Sequence, residues 1–503
     1  MPAIAPAEPT DSQRQRTETW FRRVLIAFSL VAALGIVCHF AVLLWAQNSF
    51  TGPECVVAAQ SMMLVEGGSL YHDLNHYPYT VSAYTPLFYL LQAGLYKLGL
   101  PAYTAGRLIS FLAMLGIFVL IRYLVLLYTS DGYCAWVGAL MAASSALFLS
   151  WGSVGQVDTL AVFWALAAFY QYSRYRLRAE RTLIWAGVFA ILAFFTKQTM
   201  LACPAAIFVL LWLERPKLAL QFGAGAAAIV LAISLAINGA LGGRFLANTV
   251  LANLNPYSLD KLIQHLRFAL FSAGPLLLVA ALGSRAAIRS GGRPLFVYLG
   301  MAVAVFAVTA PKIGSDINYQ IEFTVVLILC ASMVLHALDF FPLSFLGSKT
   351  WITLLQLPVA LFMVVNYKVI KRDLVARFTN EAAARVELAD LRPYISGGGR
   401  ILSADYNAVV RVERRMDVEM LIYKLLVDAG VVDPEPVRRD LAAGAFSTVV
   451  LMQDVNNRAT ALDVEISTLP AAQLDEVRKH YKLARHILVP DVYVYQPLGR
   501  GAQ

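Results

Sequence analysis

From residue 24 to residue 367 the chain alternates long apolar runs with short polar breaks, and beyond Tyr367 that alternation stops. A helix that crosses a bilayer needs about 20 predominantly apolar residues. Runs of roughly that size predict spans near 24–46, 105–128, 132–150, 158–173, 182–196, 199–213, 218–241, 266–283, 294–310, 317–337 and 351–367, eleven in all. The segment 51–104 breaks the rhythm, pairing a helical stretch from Glu54 to Glu66 with a Tyr-, His- and Pro-rich stretch and then the apolar run Pro86 to Leu100. It reads as an outer loop with helices lying along the membrane interface. After Tyr367 a polar helix near 371–391, helices near 417–429 and 470–482, and short strands at Arg400–Ser403 and Thr448–Met452 predict a small soluble α/β domain. The expected architecture is therefore a polytopic α-helical membrane protein in three parts: an N-terminal tail (1–23), a transmembrane domain (24–367) that includes the outer loop 51–104, and a C-terminal soluble α/β domain (368–503).

Composition agrees with that division. The chain is 59% hydrophobic and 15% charged, more apolar surface than a water-soluble globule of this size hides. Residues 368–503 hold half of all the Asp, Glu, Lys and Arg. The net charge of +9 comes mostly from short Arg-rich connections between apolar runs, as the positive-inside rule requires, so no nucleic-acid partner is inferred. Cys38, Cys134, Cys203 and Cys330 fall in apolar runs and Cys55 follows one, which implies no disulfide framework.

Arg22 and Arg23 precede the first apolar run with no small-residue cleavage site after it, the pattern of an uncleaved signal anchor with a cytoplasmic N-terminus. An odd number of spans then puts the C-terminal domain on the extracytoplasmic, periplasmic side of an inner (plasma) membrane. Most Lys and Arg before residue 368 fall inside under this topology, among them Arg174, Arg176, Arg178, Arg181, Arg285, Arg289 and Arg293. No internal repeat is visible, so inverted-repeat transporter architecture gains no support.

Ionisable groups near membrane depth are costly and mark pairing or function, and here they gather on the outer side. Glu54 opens the first outer helix in TGPECVVAAQ, Asp158 starts a span in WGSVGQVDTLAVFW, and Lys197 and Gln198 sit in the hairpin FFTKQT. Lys312, Asp316, Asn318, Tyr319 and Glu322 crowd PKIGSDINYQIE, and the loop 242–265 adds Arg244, Asn253, Asn255, Asp260, Lys261 and His265. Together these loops can line one polar cavity. Plainer readings stand beside that one. Asp158 and Glu54 can cap helix N-termini, where negative charge suits the dipole, and Lys197 and Lys312 can snorkel to headgroups. The tyrosines of YPYTVSAYTPLFY, Tyr84 among them, suit either a sugar ring or an interfacial aromatic belt. His72, Asp73 and His76 lack a recognised ligand spacing and read as a polar loop, so no residue is assigned to a metal. The cofactor is left unknown, and a divalent ion is compatible with the sequence without being required by it.

These motifs resemble those of the GT-C superfamily of membrane glycosyltransferases, which contains protein O-mannosyltransferases and the lipid A aminoarabinose transferase. The resemblance lies in the acid after the first span (Glu54, where the family commonly has Asp), GGSLYHDL, AYTPLFYLL, the Asp of GQVDTLAVFWALAAFY, the TKQT hairpin and GSDINYQIE before a late span. It implies transfer of a monosaccharide from a polyprenyl-phosphate carrier to a lipid, glycan or protein acceptor at the outer membrane face, by inverting displacement. It also implies Glu54 as general base, Asp158 orienting the acceptor or a metal, and Lys197, Gln198, Arg244, Lys312, Asn318, Tyr319 and Tyr84 binding substrate. A transporter or flippase for a lipid-linked or small-molecule substrate is the alternative, and would place its charges at the bilayer midplane.

Overall fold

The computed structural model describes residues 46–340, 384–456 apart from 414, and 469–498 apart from 489–490, with residues 23, 27, 30–31, 33–44, 359, 361–362 and 365–366 of flanking helices. The N-terminal tail before Arg23, most of the span read at 351–367, and the start of the polar helix read at 371–391 lie outside the described residues.

Local chemistry sets the helix boundaries. After α1 (Ala33–Leu44), Thr51 caps α2 (Gly52–Val65), its Oγ1 accepting the Glu54 N–H at 3.2 Å while Glu54 Oε2 accepts the Phe50 N–H at 2.8 Å. This Thr-x-x-Glu arrangement ties up orphan donors at the helix start in the manner of a capping box. The short α3 (Leu87–Lys97) leads into α4 (Ala102–Thr129), which ends on Ser130 in the left-handed conformation. Asp131 opens α5 (Gly132–Ala143) by accepting from the Tyr133 and Cys134 N–H groups. The chain continues through α6 (Val157–Arg178), α7 (Leu183–Thr196), α8 (Ala202–Glu214), α9 (Pro216–Ala240) and the one-and-a-half-turn α10 (Arg244–Thr249). Helices α11 (Leu259–Ala287) and α12 (Arg293–Thr309) meet at a turn where Gly291 takes φ +98°, and α13 (Ile321–Phe340) follows.

Four described helical stretches, Ala102–Thr129, Pro216–Ala240, Leu259–Thr309 and Ile317–Ala337, are long and apolar enough to cross a membrane. Burial sorts them: 94% of the central window of Ile317–Ala337 is buried, against 6% for Pro216–Ala240. The core built around α13 packs Val326, Leu329, Cys330 and Met333 against Ile121, Leu166, Ile207 and Leu276 from surrounding helices. On α9, Leu220, Ile229, Leu231 and Leu235 stay exposed. A helix this apolar with most of its surface left uncovered belongs in lipid, and the chain is an integral membrane protein.

A 14-residue helix such as α7 rises about 21 Å, short of the roughly 30 Å hydrocarbon layer. The hairpin from Lys197 follows it.

At the same end as this hairpin the C-terminal residues form a four-stranded sheet of order β1-β2-β4-β3, with β1 (Arg400–Ser403) parallel to β2 (Phe446–Leu451) and antiparallel pairing of β2 with β4 (Asp491–Pro497) and of β4 with β3 (Tyr481–Leu488). The last two strands were not placed from sequence, where the run 470–482 read as helix throughout. Helices described over 384–395 (α14) and at Tyr406–Glu413 (α15), Met420–Asp428 (α16), Glu435–Ala442 (α17) and Ala471–His480 (α18) flank the sheet. This unit is bound to the segment 51–104. The Tyr79 N–H donates to Asp417 O at 2.8 Å and the Glu419 N–H donates to Tyr79 O at 2.9 Å, and Leu74, Tyr79 and Val81 share a core with Leu402, Val418, Tyr423 and Val449. Val410 and Met416 likewise pack against Cys55, Ala59 and Met62 of α2.

One close approach decides how α4 sits. A Cβ at Gly106 would lie 2.7 Å from Gln92 Nε2 and 3.1 Å from Gly155 Cα. Gln92 cannot withdraw, since its amide donates to Ala102 O at 2.9 Å and accepts from Ser61 Oγ at 3.0 Å while buried. Gly106→Ala is expected to lower the melting temperature of detergent-purified protein, with a cost of about 1–3 kcal/mol from overpacking. An unchanged melting temperature would show that the seam can yield.

Candidate active site

Two buried ion pairs organise the face where loops and sheet meet. In the first, Arg107 of α4 grips Glu54 of α2, Nε to Oε1 at 2.8 Å and the terminal Nη2 to Oε2 at 3.0 Å, both side chains fully buried. The same guanidinium donates to the carbonyls of Leu43 at 2.8 Å, Ala46 at 2.7 Å and Asn48 at 2.5 Å, so its five donors are all spent. Glu54 accepts further from the N–H groups of Gly155 at 2.9 Å and Phe50 at 2.8 Å. Burial alone would push its carboxyl up, but the Arg107 charge and these four hydrogen bonds outweigh it and hold the carboxyl below the usual value. Glu54 is thus neither on the cavity wall nor short of partners, and its neighbours Thr51, Gly52 and Pro53 line the cavity instead.

In the second pair, Lys197 Nζ lies 2.5 Å from Asp158 Oδ1, and Asn318 Nδ2 donates to Asp158 Oδ2 at 2.9 Å. The residue flanking α6 at its start is Gln156, and the Asp158 carboxylate turns to Lys197 and Asn318, across the bundle, rather than to the helix's own N–H groups. Lys197 also sits 4.0 Å from the centroid of the Tyr319 ring and 5.8 Å from that of Tyr84, within cation–π range.

Above Lys197 opens a cavity of about 660 Å³, the size of a site for a drug-sized ligand. Its wall brings together Tyr84, Lys197, Gln198, Lys312 and Tyr319 from the sequence-nominated set, with Lys261 and Asp316. Asp158 and Asn318 stand behind Lys197. Gln198 is occupied as a strut, its amide donating to Ala83 O at 2.7 Å and Thr249 O at 2.9 Å. Lys312, half-buried, reaches Asn253 O at 3.4 Å. Arg244 is exposed on α10, off the cavity wall, beside His72 and Asp73. Asp73 and His76 pair at 3.1 Å on the surface.

The wall has a second source that sequence reasoning missed: Tyr406, Glu419, Leu421 and Ile422 of the C-terminal unit line it too. Nothing local marks Glu419, because its place depends on the contact between Tyr79 and Val418, which lie more than 300 positions apart. Arg107 was missed as well, although a cation at the start of a long apolar run was a visible signal.

Comparison with known proteins fits this arrangement. The family model for dolichyl-phosphate-mannose-protein mannosyltransferase matches residues 83–237. No curated protein matches the sequence. Among solved structures, ArnT from Cupriavidus metallidurans bound to undecaprenyl phosphate superposes with a TM-score of 0.63 and 13% identity, over 95% of this chain and 98% of that one. The chain shares the fold of that protein. The oligosaccharyltransferase of Archaeoglobus fulgidus in its apo form has a similar fold, with a TM-score of 0.54 and 13% identity over 96% of this chain and 75% of that one. The same organism's AglB, in complex with an inhibitory peptide and a dolichol-phosphate, gives 0.50 and 13% over 86% and 70%.

Proposed function

We propose that the protein transfers a monosaccharide from a polyprenyl-phosphate carrier to a lipid, glycan or protein acceptor at the extracytoplasmic face of the inner (plasma) membrane, with its N-terminus cytoplasmic and its C-terminal domain outside. The observation that carries this reading is one cavity, set between lipid-exposed helices and a folded soluble unit, whose wall holds Lys197, Lys261 and Lys312. A lipid phosphate needs that combination: hydrocarbon beside the site for its tail, cations for its charge, and space for a sugar. The carriers bound to ArnT and to AglB, undecaprenyl phosphate and dolichol-phosphate, are of this class.

The reaction is an inverting displacement. The acceptor oxygen attacks the anomeric carbon, the bond to the phosphate oxygen breaks with its electron pair, and the lipid phosphate leaves as an anion that needs no proton. Lys312 and Lys261 stabilise that developing charge from the open wall. Lys197, held by Asp158 and Asn318, supplies charge from the floor, and Tyr84 and Tyr319 offer faces to the sugar. Glu54, spent on Arg107, positions the loop that forms the near wall. The gathering of these charges at one end of the helices favours transfer over transport through the midplane.

The test is transfer of labelled sugars from a panel of polyprenyl-phosphate donors in membranes holding wild type or Lys312→Ala at matched levels. Wild type is expected to label an acceptor fraction, and Lys312→Ala to raise the donor KM about tenfold, the effect of losing one hydrogen bond to a charged group. Folded wild-type protein that transfers from no donor would sink the reading and restore the transporter.

A further inference from the structure

We propose that Glu419, a residue of the soluble domain, is the base that takes the acceptor's proton. The inference rests on the transferase reading above.

Among the described residues lining the cavity, Asp316 and Glu419 are the carboxylates. Asp316 is exposed, and its Oδ1 accepts the Ile317 N–H at 2.7 Å, which caps its own turn. Glu419 is half-buried and differs in what holds it. Its backbone is fixed, since its N–H bonds Tyr79 O at 2.9 Å and the neighbouring Asp417 carbonyl accepts from the Tyr79 N–H at 2.8 Å. Its carboxylate has only a long 3.4 Å contact from the Val81 N–H among the described hydrogen bonds. A rigidly mounted acid with capacity to spare, facing a cavity, is poised for a ligand; a structural acid would be saturated, as Glu54 is.

The surroundings suit a base. The titratable groups facing Glu419 are Cys55 of α2, Tyr84 and Tyr89 of the outer loop and α3, and Tyr406 of α15; burial raises every one of them, so none ionises near neutrality. The cavity's charged groups are Lys197, Lys261, Lys312 and Asp316. Burial pushes the Glu419 carboxyl up to about 7, the Val81 N–H opposing it weakly. A base near the working pH combines a usable deprotonated fraction with real proton affinity.

The step balances. The acceptor O–H proton passes to a Glu419 carboxylate oxygen as the oxygen–anomeric carbon bond forms, and the electron pair of the broken bond leaves on the carrier phosphate. Water or buffer then takes the proton from Glu419.

The experiment compares full-length wild type, Glu419→Gln, Glu419→Asp and Asp316→Asn in membranes, measuring kcat and donor KM from pH 5 to 9. Wild-type kcat/KM should rise with pH through about 7 as Glu419 loses its proton. Glu419→Gln is expected to lower kcat by about 100-fold or more, leave donor KM unchanged and abolish that rise. If Glu419→Gln fails to fold, Glu419→Asp carries the test, and a displaced limb with lower kcat is expected. Wild-type rates in either Glu419 variant, a limb near pH 7 that persists in Glu419→Gln, or the larger loss falling on Asp316→Asn would overturn the proposal. Failure of wild type to transfer at all would fail the transferase reading instead.

Discussion

Arg107→Leu is expected to leave little folded protein. The substitution strands a fully buried Glu54 carboxylate and removes the donors to three carbonyls of residues 43–48. Breaking one side of a buried ion pair costs about 3–5 kcal/mol, a large part of the 5–15 kcal/mol that ordinary domains have in hand. Glu54→Gln should also destabilise, because it leaves the buried guanidinium without its counter-charge. The double variant Arg107→Leu/Glu54→Gln should recover part of the loss, since no unpaired charge remains, although the three carbonyls stay unsatisfied. Thermal melting in detergent reads all three, and an Arg107→Leu protein that melts like wild type would show that the clamp does not hold α1, α2 and α4 together. The pair also carries a pH signature. The Glu54 carboxyl is held below its ordinary value, so its stabilisation is complete above about pH 4.5 and is lost as pH falls through the lower folded value.

Lys197→Met and Asp158→Asn should separate a group on the cavity wall from the group behind it. Lys197→Met removes a cation from the floor and is expected to cut transfer by about 100-fold or more, the scale seen when one preorganised electrostatic donor is lost. Asp158→Asn keeps an acceptor near Lys197 and leaves the ammonium in place, so a smaller loss of about tenfold is expected, from a lysine less firmly held. Transfer rates per folded protein, measured by fluorescence-detected size exclusion, decide the order. Equal and complete loss in both would mean that Asp158 itself reaches substrate.

The helical blocks were legible because lipid imposes a blunt rule: long apolar runs must be helices whose backbone bonds close internally. Helices α4, α6, α9 and α13 accordingly lie where the runs predict them. The convergence of Lys197, Lys312, Tyr319 and Tyr84 was legible for a related reason, as polar residues interrupting apolar chain mark the same end of several helices. What stayed hidden were partnerships across the fold. Glu54 looks like a free acid at a membrane boundary until Arg107, 53 positions later, is seen to face it. Asp158 looks like a cap until Lys197 folds back over it. Glu419 sits in an ordinary amphipathic stretch of the C-terminal unit, and only the backbone bridge to Tyr79 brings it to the cavity wall that the lysines share.

That bridge orders events during synthesis. Ribosomes deliver Lys197, Lys261 and Lys312 before residue 419, so a chain not yet elongated that far carries three cations of the cavity wall without Glu419. On the mechanism proposed here, such a nascent chain lacks its base and transfers no sugar.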